Sequence, residues 1–121
     1  MLLVDDHDLF RAGLRTALGA EGIDVVGESS SGSEALTAVG AFAPEVVVMD
    51  LNMPGIGGVE ATRRIVTADP DVVVILCSTR EVTDVPATVA DSGARAFLSK
   101  ETFGVDALRR IWSSLASGPV R

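Results

Sequence analysis

The sequence lacks the features that would place the protein in a membrane or an oxidising compartment. Its 121 residues include one cysteine, Cys77, so an internal disulfide is excluded. No apolar run reaches the roughly 18 residues that a membrane-spanning helix needs. The opening residues MLLVDDHD have neither the basic segment nor the long apolar segment of a signal peptide. These absences predict a cytoplasmic protein that does not engage a membrane.

Positive charge is also scarce. Ten Lys and Arg stand against seventeen Asp and Glu, for a net charge of -7, and no stretch forms a basic stripe. Because nucleic-acid binding depends on neutralising several phosphates, we do not expect this chain by itself to bind DNA or RNA. The 47% hydrophobic content fits one globular domain rather than a disordered tail.

Short apolar runs alternate with segments of helical periodicity. Five runs, apolar or rich in β-branched residues, are predicted to be strands: residues 1–4, 23–28, 46–49, 72–77 and 95–99. A segment with apolar residues at helical spacing follows each run, which predicts five helices. This alternation predicts an α/β fold in which helices cover both faces of a doubly wound, five-stranded parallel sheet.

Several helix ends can be predicted from local signals. Ser31 and Glu34 have capping-box spacing at the start of the second helix, and Pro44 and Pro70 should follow the ends of the second and third. Pro86 cannot donate a backbone hydrogen bond, so the fourth helix should begin late, with Thr83 as its N-cap.

Polar side chains follow four of the five apolar runs. Asp5 and Asp6 follow the first, Asp50 the third, Ser78 the fourth and Lys100 the fifth. Because the carboxyl ends of parallel strands meet at one edge of a sheet, these side chains should lie close together. A structural role as caps or turn residues is the alternative for each one taken alone.

Together these residues favour phosphoryl chemistry. Three neighbouring carboxylates repel one another unless a cation neutralises them, and an oxygen-only cluster suits Mg²⁺. Lys100 offers a positive charge to a phosphoryl oxygen. Asp50 could then act as a nucleophile that forms an acyl phosphate.

At these residues the chain resembles the receiver domain of bacterial two-component response regulators. The resemblance runs from LLVDDHDLFRAGL through VVVMDLNMPGIGGVEATRRI and VILCS to SGARAFLSK. The segments DDH, RAGL and GVEATRRI are most similar to the subfamily with a LuxR-type helix-turn-helix output domain. The resemblance implies the flavodoxin-like strand order 2-1-3-4-5.

The resemblance also implies roles for individual residues. Asp50 would be the phosphoacceptor, while Asp5, Asp6 or both, with Asp50 and the carbonyl of Asn52, would hold Mg²⁺. Lys100 and Ser78 would contact the phosphoryl group. Phe97 would be an aromatic switch that turns inward once Ser78 moves towards the phosphate.

Partners follow from the same resemblance. A sensor histidine kinase would supply the phosphoryl group, and the domain would lose it slowly by autodephosphorylation rather than act as a turnover enzyme. Residues 1–116 would form the receiver, and residues 117–121, with the letters SGPVR, would begin a linker to an absent output domain. The signal would pass through a receiver–receiver dimer or the chain's own output domain, and DNA would be bound only by that absent domain.

Other interpretations remain open. A single-domain phosphorelay receiver, or a pseudo-receiver that binds partners without phosphorylation, would share most of these features. An Asp-nucleophile phosphatase is disfavoured, because such enzymes carry a second Asp two positions after a nucleophile on the first strand, whereas here position 52 is Asn and Asp50 ends the third.

Three further features have a structural interpretation. His7 in a turn is expected to be solvated or capping rather than a metal ligand. Cys77 is expected to be a small core residue. Gly55, Gly57 and Gly58 should shape the turn after Asp50, since no lysine follows them as a phosphate-binding P-loop requires.

Overall fold

The alternation of strands and helices predicted from the sequence is present in the structure. The computed structural model describes residues 1–79, 87–100, 104, 106, 107, 109, 110 and 113. Within these residues the elements, in chain order, are β1 (Leu2–Val4), α1 (Asp8–Ala20), β2 (Gly27–Ser29), α2 (Gly32–Phe42), β3 (Val46–Asp50), α3 (Gly58–Ala68), β4 (Val73–Ser78), α4 (Ala87–Ala90) and β5 (Ala96–Ser99).

The strands form one parallel sheet in the order β2-β1-β3-β4-β5, as the resemblance implied. Val4 pairs with Met49 and Asp50 pairs with Cys77, so β1, β3 and β4 end near one another. Lys100 follows β5, whose Ser99 pairs with Ser78. This register brings the carboxyl ends of four strands to one edge of the sheet.

Side chains that alternate along each strand supply two separate cores. On one face, Val47 and Met49 of β3 pack with Ala61 and Ile65 of α3, and α2 also contributes. On the other face, Val48 of β3 packs with residues of α1 that include Leu14 and Leu18. Because both faces of β3 are covered, all five of its residues are buried, which explains its continuous apolar run.

The second strand is the least accurate of the sequence predictions. We predicted it over residues 23–28, but the regular ladder begins only at Gly27, opposite Leu2. Before that point single hydrogen bonds connect the chain to the start of β1, with the Val26 N–H donating to the Met1 carbonyl at 2.9 Å. Ile23 and Val25 are apolar because they pack against the α1 face, and that packing does not require strand geometry.

The predicted helix ends agree well with the structure. The Ser31 hydroxyl accepts a hydrogen bond from the Glu34 N–H at 3.1 Å, but the Glu34 carboxylate accepts from the N–H and hydroxyl of Ser30 rather than from Ser31. Helices α2 and α3 end at Phe42 and Ala68, two residues before each proline.

Some predictions concern residues that the structure does not describe. The Thr83 cap and the position of Pro86 lie outside the described residues, and so do the proposed linker residues 117–121. Of the fifth predicted helix, the described residues 106, 107, 109, 110 and 113 are helical. No helix within the described part of the chain combines the length and the apolar character needed to cross a bilayer.

Candidate functional site

The acids predicted at the edge of the sheet do lie together. Asp5 follows β1 and Asp50 ends β3, and their side chains are each only 4% exposed. Asp6 is more accessible, with 33% of its side chain exposed. One ligand atom from each of Asp5, Asp6, His7 and Asp50 can be chosen so that all four lie within 4.8 Å of one another. The sheet register therefore builds a compact acidic cluster from residues far apart in sequence.

Burial makes Asp50 an unusual carboxylate. Desolvation, together with the negative charges of Asp5 and Asp6, raises the pKa of Asp50 from 3.8 to about 6, although Lys100 opposes this shift. Its Oδ2 atom is buried and has no hydrogen-bond partner among the residues that the structure describes. A buried oxygen without a donor is costly in a folded protein, so this atom is suited to bind a cation or a hydrogen-bond donor.

Lys100 provides the positive charge of the cluster. Its Nζ atom lies 2.7 Å from Asp5 Oδ2 and 3.4 Å from Asp50 Oδ1, and its side chain is only 8% exposed. Asp5 Oδ2 accepts no hydrogen bond of regular geometry within the described residues, and its short contact with Lys100 is an ion pair. Burial opposes the ammonium charge, but Asp5 and Asp50 more than offset this and raise the pKa of Lys100. The amine therefore stays charged at neutral pH.

His7 lies beside the acids. Its Nδ1 atom is 3.0 Å from Asp5 Oδ1, 3.4 Å from Asp6 Oδ1 and 4.0 Å from Asp50 Oδ2. The side chain is nevertheless 62% exposed and makes no capping hydrogen bond at the start of α1. Of the two roles expected for His7, solvated or capping, the structure shows the solvated one.

The cluster fits a hard divalent cation. Its carboxylates are the oxygen donors that Mg²⁺ prefers, and the unpartnered Asp50 Oδ2 is one of them. Asp6 is open to solvent, which would allow an ion to retain several waters. Asn52 is exposed in the loop that follows β3. The resemblance implied Asp5, Asp6, Asp50 and the Asn52 carbonyl as magnesium ligands, and the structure brings the three carboxylates together.

Ser78 and Phe97 lie on neighbouring strands near the acids. Ser78 ends β4 and is fully buried, and its carbonyl accepts a hydrogen bond from the Lys100 N–H at 2.6 Å. Phe97 pairs with Leu76, two residues before Ser78, and packs half-buried on the face that α2 and α3 cover. The hydroxyl and the aromatic ring thus belong to adjacent strands, as the proposed switch requires.

The loop after Asp50 returns to the strand that carries it. A Cβ at Gly58 would lie 2.4 Å from the Asp50 carbonyl oxygen and 2.9 Å from Leu51 Cα, so α3 can begin here only with glycine. Gly55 has φ +76, in the left-handed region. The interpretation of these glycines as turn residues is confirmed, and Gly58 has the added role of allowing α3 to pack against Asp50.

Sequence reasoning missed Arg11. Its guanidinium donates to the Asp5 carbonyl oxygen, to the Asp8 carboxylate at 2.8 Å and to the Glu28 carboxylate at 2.8 Å. The i,i+3 spacing of Asp8 and Arg11 indicates their ion pair, but no local signal connects Arg11 with Glu28 on β2. Only the parallel pairing of β1 and β2 brings that partner into reach.

Comparison with curated proteins gives close relatives. Response regulator UvrY of Escherichia coli O6:H1 is 45% identical over 117 residues, which cover 93% of this chain and 54% of UvrY. Response regulator GacA of Pseudomonas viridiflava is 41% identical over 101 residues, covering 83% of this chain and 47% of GacA. The chain therefore spans about half the length of the curated relatives it matches.

Solved structures are similar over almost the whole chain. The receiver domain of the response regulator NarL from Mycobacterium tuberculosis has a TM-score of 0.85 at 28% identity, covering 97% of this chain and 95% of that one. A LuxR-family response regulator from Aurantimonas also has a TM-score of 0.85, at 31% identity, with coverage of 95% and 83%. The family described as "Response regulator receiver domain" matches residues 1–112. With this match added to the sheet order and the acidic edge, the chain belongs to the receiver domain family of two-component response regulators.

Proposed function

We propose that Asp50 accepts a phosphoryl group from a phosphohistidine of a sensor histidine kinase. The observation that carries this proposal is the Asp50 carboxylate itself, which is buried, has one oxygen without a hydrogen-bond partner among the described residues, and lies 3.4 Å from Lys100. In the reaction a carboxylate oxygen attacks phosphorus, the P–N bond breaks, and its electron pair returns to the imidazole nitrogen of the kinase. The product is an acyl phosphate on Asp50.

Each neighbouring residue has a separate task in this proposal. Asp5, Asp6 or both, with Asp50 and the Asn52 carbonyl, would hold Mg²⁺, which would supply positive charge to neutralise the transferring phosphoryl group. Lys100 supplies a second positive charge at the same edge of the sheet and pairs with a phosphoryl oxygen. Ser78, fully buried at the end of β4, donates a hydrogen bond to that group.

Phosphoramidate labelling followed by intact-mass measurement tests the assignment. The wild-type chain with MgCl₂ should gain the mass of one phosphoryl group, and both Asp50→Asn and added EDTA should abolish the gain. Asp71→Asn is a matched control, because Asp71 is exposed and precedes β4 at the other end of the sheet. Labelling that persists in Asp50→Asn would refute the phosphoacceptor, and an unlabelled wild type would favour a pseudo-receiver.

We also propose that phosphorylation is transmitted through Ser78 and Phe97. If the phosphoryl group draws the Ser78 hydroxyl inward, space opens beside β5 into which the half-buried Phe97 ring can turn. The ring position can be followed by NMR or crystallography with and without beryllofluoride. An unchanged Phe97 rotamer in the beryllofluoride complex would contradict the switch.

The output of the switch is proposed to be transcriptional. Relatives of about twice this length, and the similarity to a LuxR-family regulator, support a DNA-binding output domain outside this chain. Phosphorylation would act by changing how receivers pair or how they contact that domain. The isolated acidic chain should show no salt-sensitive DNA binding, and the natural reading frame should continue into a basic, helical segment. A stop codon directly after Arg121 would instead favour a single-domain receiver.

A further inference from the structure

Arg11 connects the acidic loop to two other parts of the molecule. It lies on α1, yet its side chain is only 17% exposed. Each of the three guanidinium nitrogen atoms donates to a different acceptor. Asp8 lies on its own helix, Glu28 lies on β2, and the third acceptor is the backbone carbonyl of Asp5. Ordering an arginine in this way costs side-chain entropy, so the three contacts together must offset that cost.

The orientation of the Asp5 carbonyl determines where the next residue, Asp6, points. The N–H of Asp5 still donates to the Ser29 carbonyl at 3.0 Å, which keeps Asp5 aligned with β2. The Asp5 carbonyl belongs to the next peptide plane, which connects Asp5 to Asp6 and lies just beyond the regular ladder. A rotation of this plane would swing Asp6 away from the cluster, and the hydrogen bond from Arg11 opposes that rotation.

The charge of Arg11 is compensated locally. Burial opposes the charge, but the hydrogen bonds that Arg11 donates to Glu28 and Asp8 raise the pKa of Arg11. In turn, Arg11 and Arg15 outweigh the effect of burial and lower the pKa of Glu28. Because the guanidinium is paired with two carboxylates of its own, its effect on the metal-binding acids must come mainly from geometry rather than from long-range attraction.

We propose that Arg11 is a positioning residue for the acidic pair: by holding the Asp5 carbonyl it sets the direction of the Asp6 side chain and so the affinity of the cluster for Mg²⁺. Arg11 contacts no side-chain oxygen of Asp5 in the structure, so it acts through the peptide between the acids. The inference rests on the proposed function in taking Mg²⁺ as the bound ion.

Calorimetric titration with MgCl₂ tests the proposal without a phosphoryl donor. Loss of a residue that orients metal ligands typically weakens metal binding by about 10- to 100-fold, and we expect a loss in this range for Arg11→Ala. Arg11→Lys keeps the charge and the aliphatic stem but cannot reproduce three forked contacts, so its affinity should lie between those of Arg11→Ala and the wild type. It also serves as the test variant if Arg11→Ala does not fold.

Arg15→Ala is the matched control. Arg15 also pairs with Glu28 from α1, but its side chain is 51% exposed and, within the described residues, Glu28 is its ion-pair partner rather than any group of the acidic loop. Its Mg²⁺ affinity should stay close to that of the wild type. Circular dichroism and thermal melting establish that each variant is folded before titration.

The outcomes separate this inference from the proposed function. Wild-type Mg²⁺ affinity in a folded Arg11 variant, or an equal loss in Arg15→Ala, would overturn the positioning role. A wild type that binds Mg²⁺ but is not labelled on Asp50 would count against the proposed function and leave the Arg11 inference standing. A wild type that binds no Mg²⁺ would overturn both.

Discussion

The Nζ atom of Lys100 lies 2.7 Å from Oδ2 of Asp5, and this ion pair joins the end of β5 to the end of β1. Two strands, β3 and β4, lie between them in the sheet. The lysine therefore reaches across the edge of the sheet and passes beside Asp50, which is 3.4 Å from the same nitrogen. In the absence of a metal ion, Lys100 is the counter-charge that allows two buried carboxylates to coexist.

Replacing Lys100 should therefore destabilise the metal-free protein. Lys100→Met keeps the length and the apolar stem but leaves Asp5 and Asp50 without a cation, and breaking a buried pair in this way typically costs about 3 kcal/mol or more. The free energy of unfolding, measured by urea titration in EDTA at neutral pH, should fall accordingly. Arg95→Met is the control, because Arg95 is exposed just before β5 and its loss should change stability little. Equal stability of the two variants would contradict the role of Lys100.

The raised pKa of Asp50 should make stability depend on pH. The pKa is about 6 in the folded chain, whereas the ordinary value is 3.8. Between these values the folded state binds more protons than the unfolded state, so the contribution of Asp50 to stability falls as pH rises through this window. Asp50→Asn removes that dependence. In EDTA, the free energy of unfolding of this variant relative to that of the wild type should therefore rise by on the order of 2 kcal/mol between about pH 4 and pH 6. A difference that stays constant across that range would contradict the raised pKa.

Gly58 should be intolerant of even the smallest side chain. In Gly58→Ala the new methyl group would meet the Asp50 carbonyl oxygen at 2.4 Å, so α3 or the end of β3 must shift. We expect a loss of about 1 to 3 kcal/mol in unfolding free energy and slower phosphoramidate labelling, because Asp50 is displaced. Gly40→Ala is the matched control within α2, where a Cβ has open space, and it should be neutral or slightly stabilising. Similar behaviour of the two variants would show that the close approach at Gly58 is unimportant.

Cys77 should be unreactive in the folded protein. It is 1% exposed, and burial raises the pKa of its thiol to about 12, so the nucleophilic thiolate is nearly absent at pH 8. Iodoacetamide should modify the chain slowly under native conditions and rapidly in urea, as followed by intact mass. Rapid modification under native conditions would contradict the buried position of this residue.

The sequence by itself determined the elements and the residues at their ends. The uninterrupted run from Val46 to Met49, bounded by turn residues, indicates a strand covered on both faces, and the acids at the ends of β1 and β3 are identified by position alone. The Ser31 cap and the prolines after α2 and α3 are equally local, because they depend on backbone hydrogen bonding within a few residues. The second strand was misjudged because Ile23 and Val25 are apolar for packing and not for pairing.

Tertiary structure decided which of these residues act on one another. Lys100 pairs with Asp5 as well as with Asp50 because the strand order brings the ends of β5, β3 and β1 to one edge. Arg11 reaches Glu28 because β1 and β2 are paired. The raised pKa of Asp50 is a consequence of the same packing, since desolvation exists only once both faces of the sheet are covered. Local periodicity determines each element and its polar end, whereas strand order and register bring those ends within bonding distance.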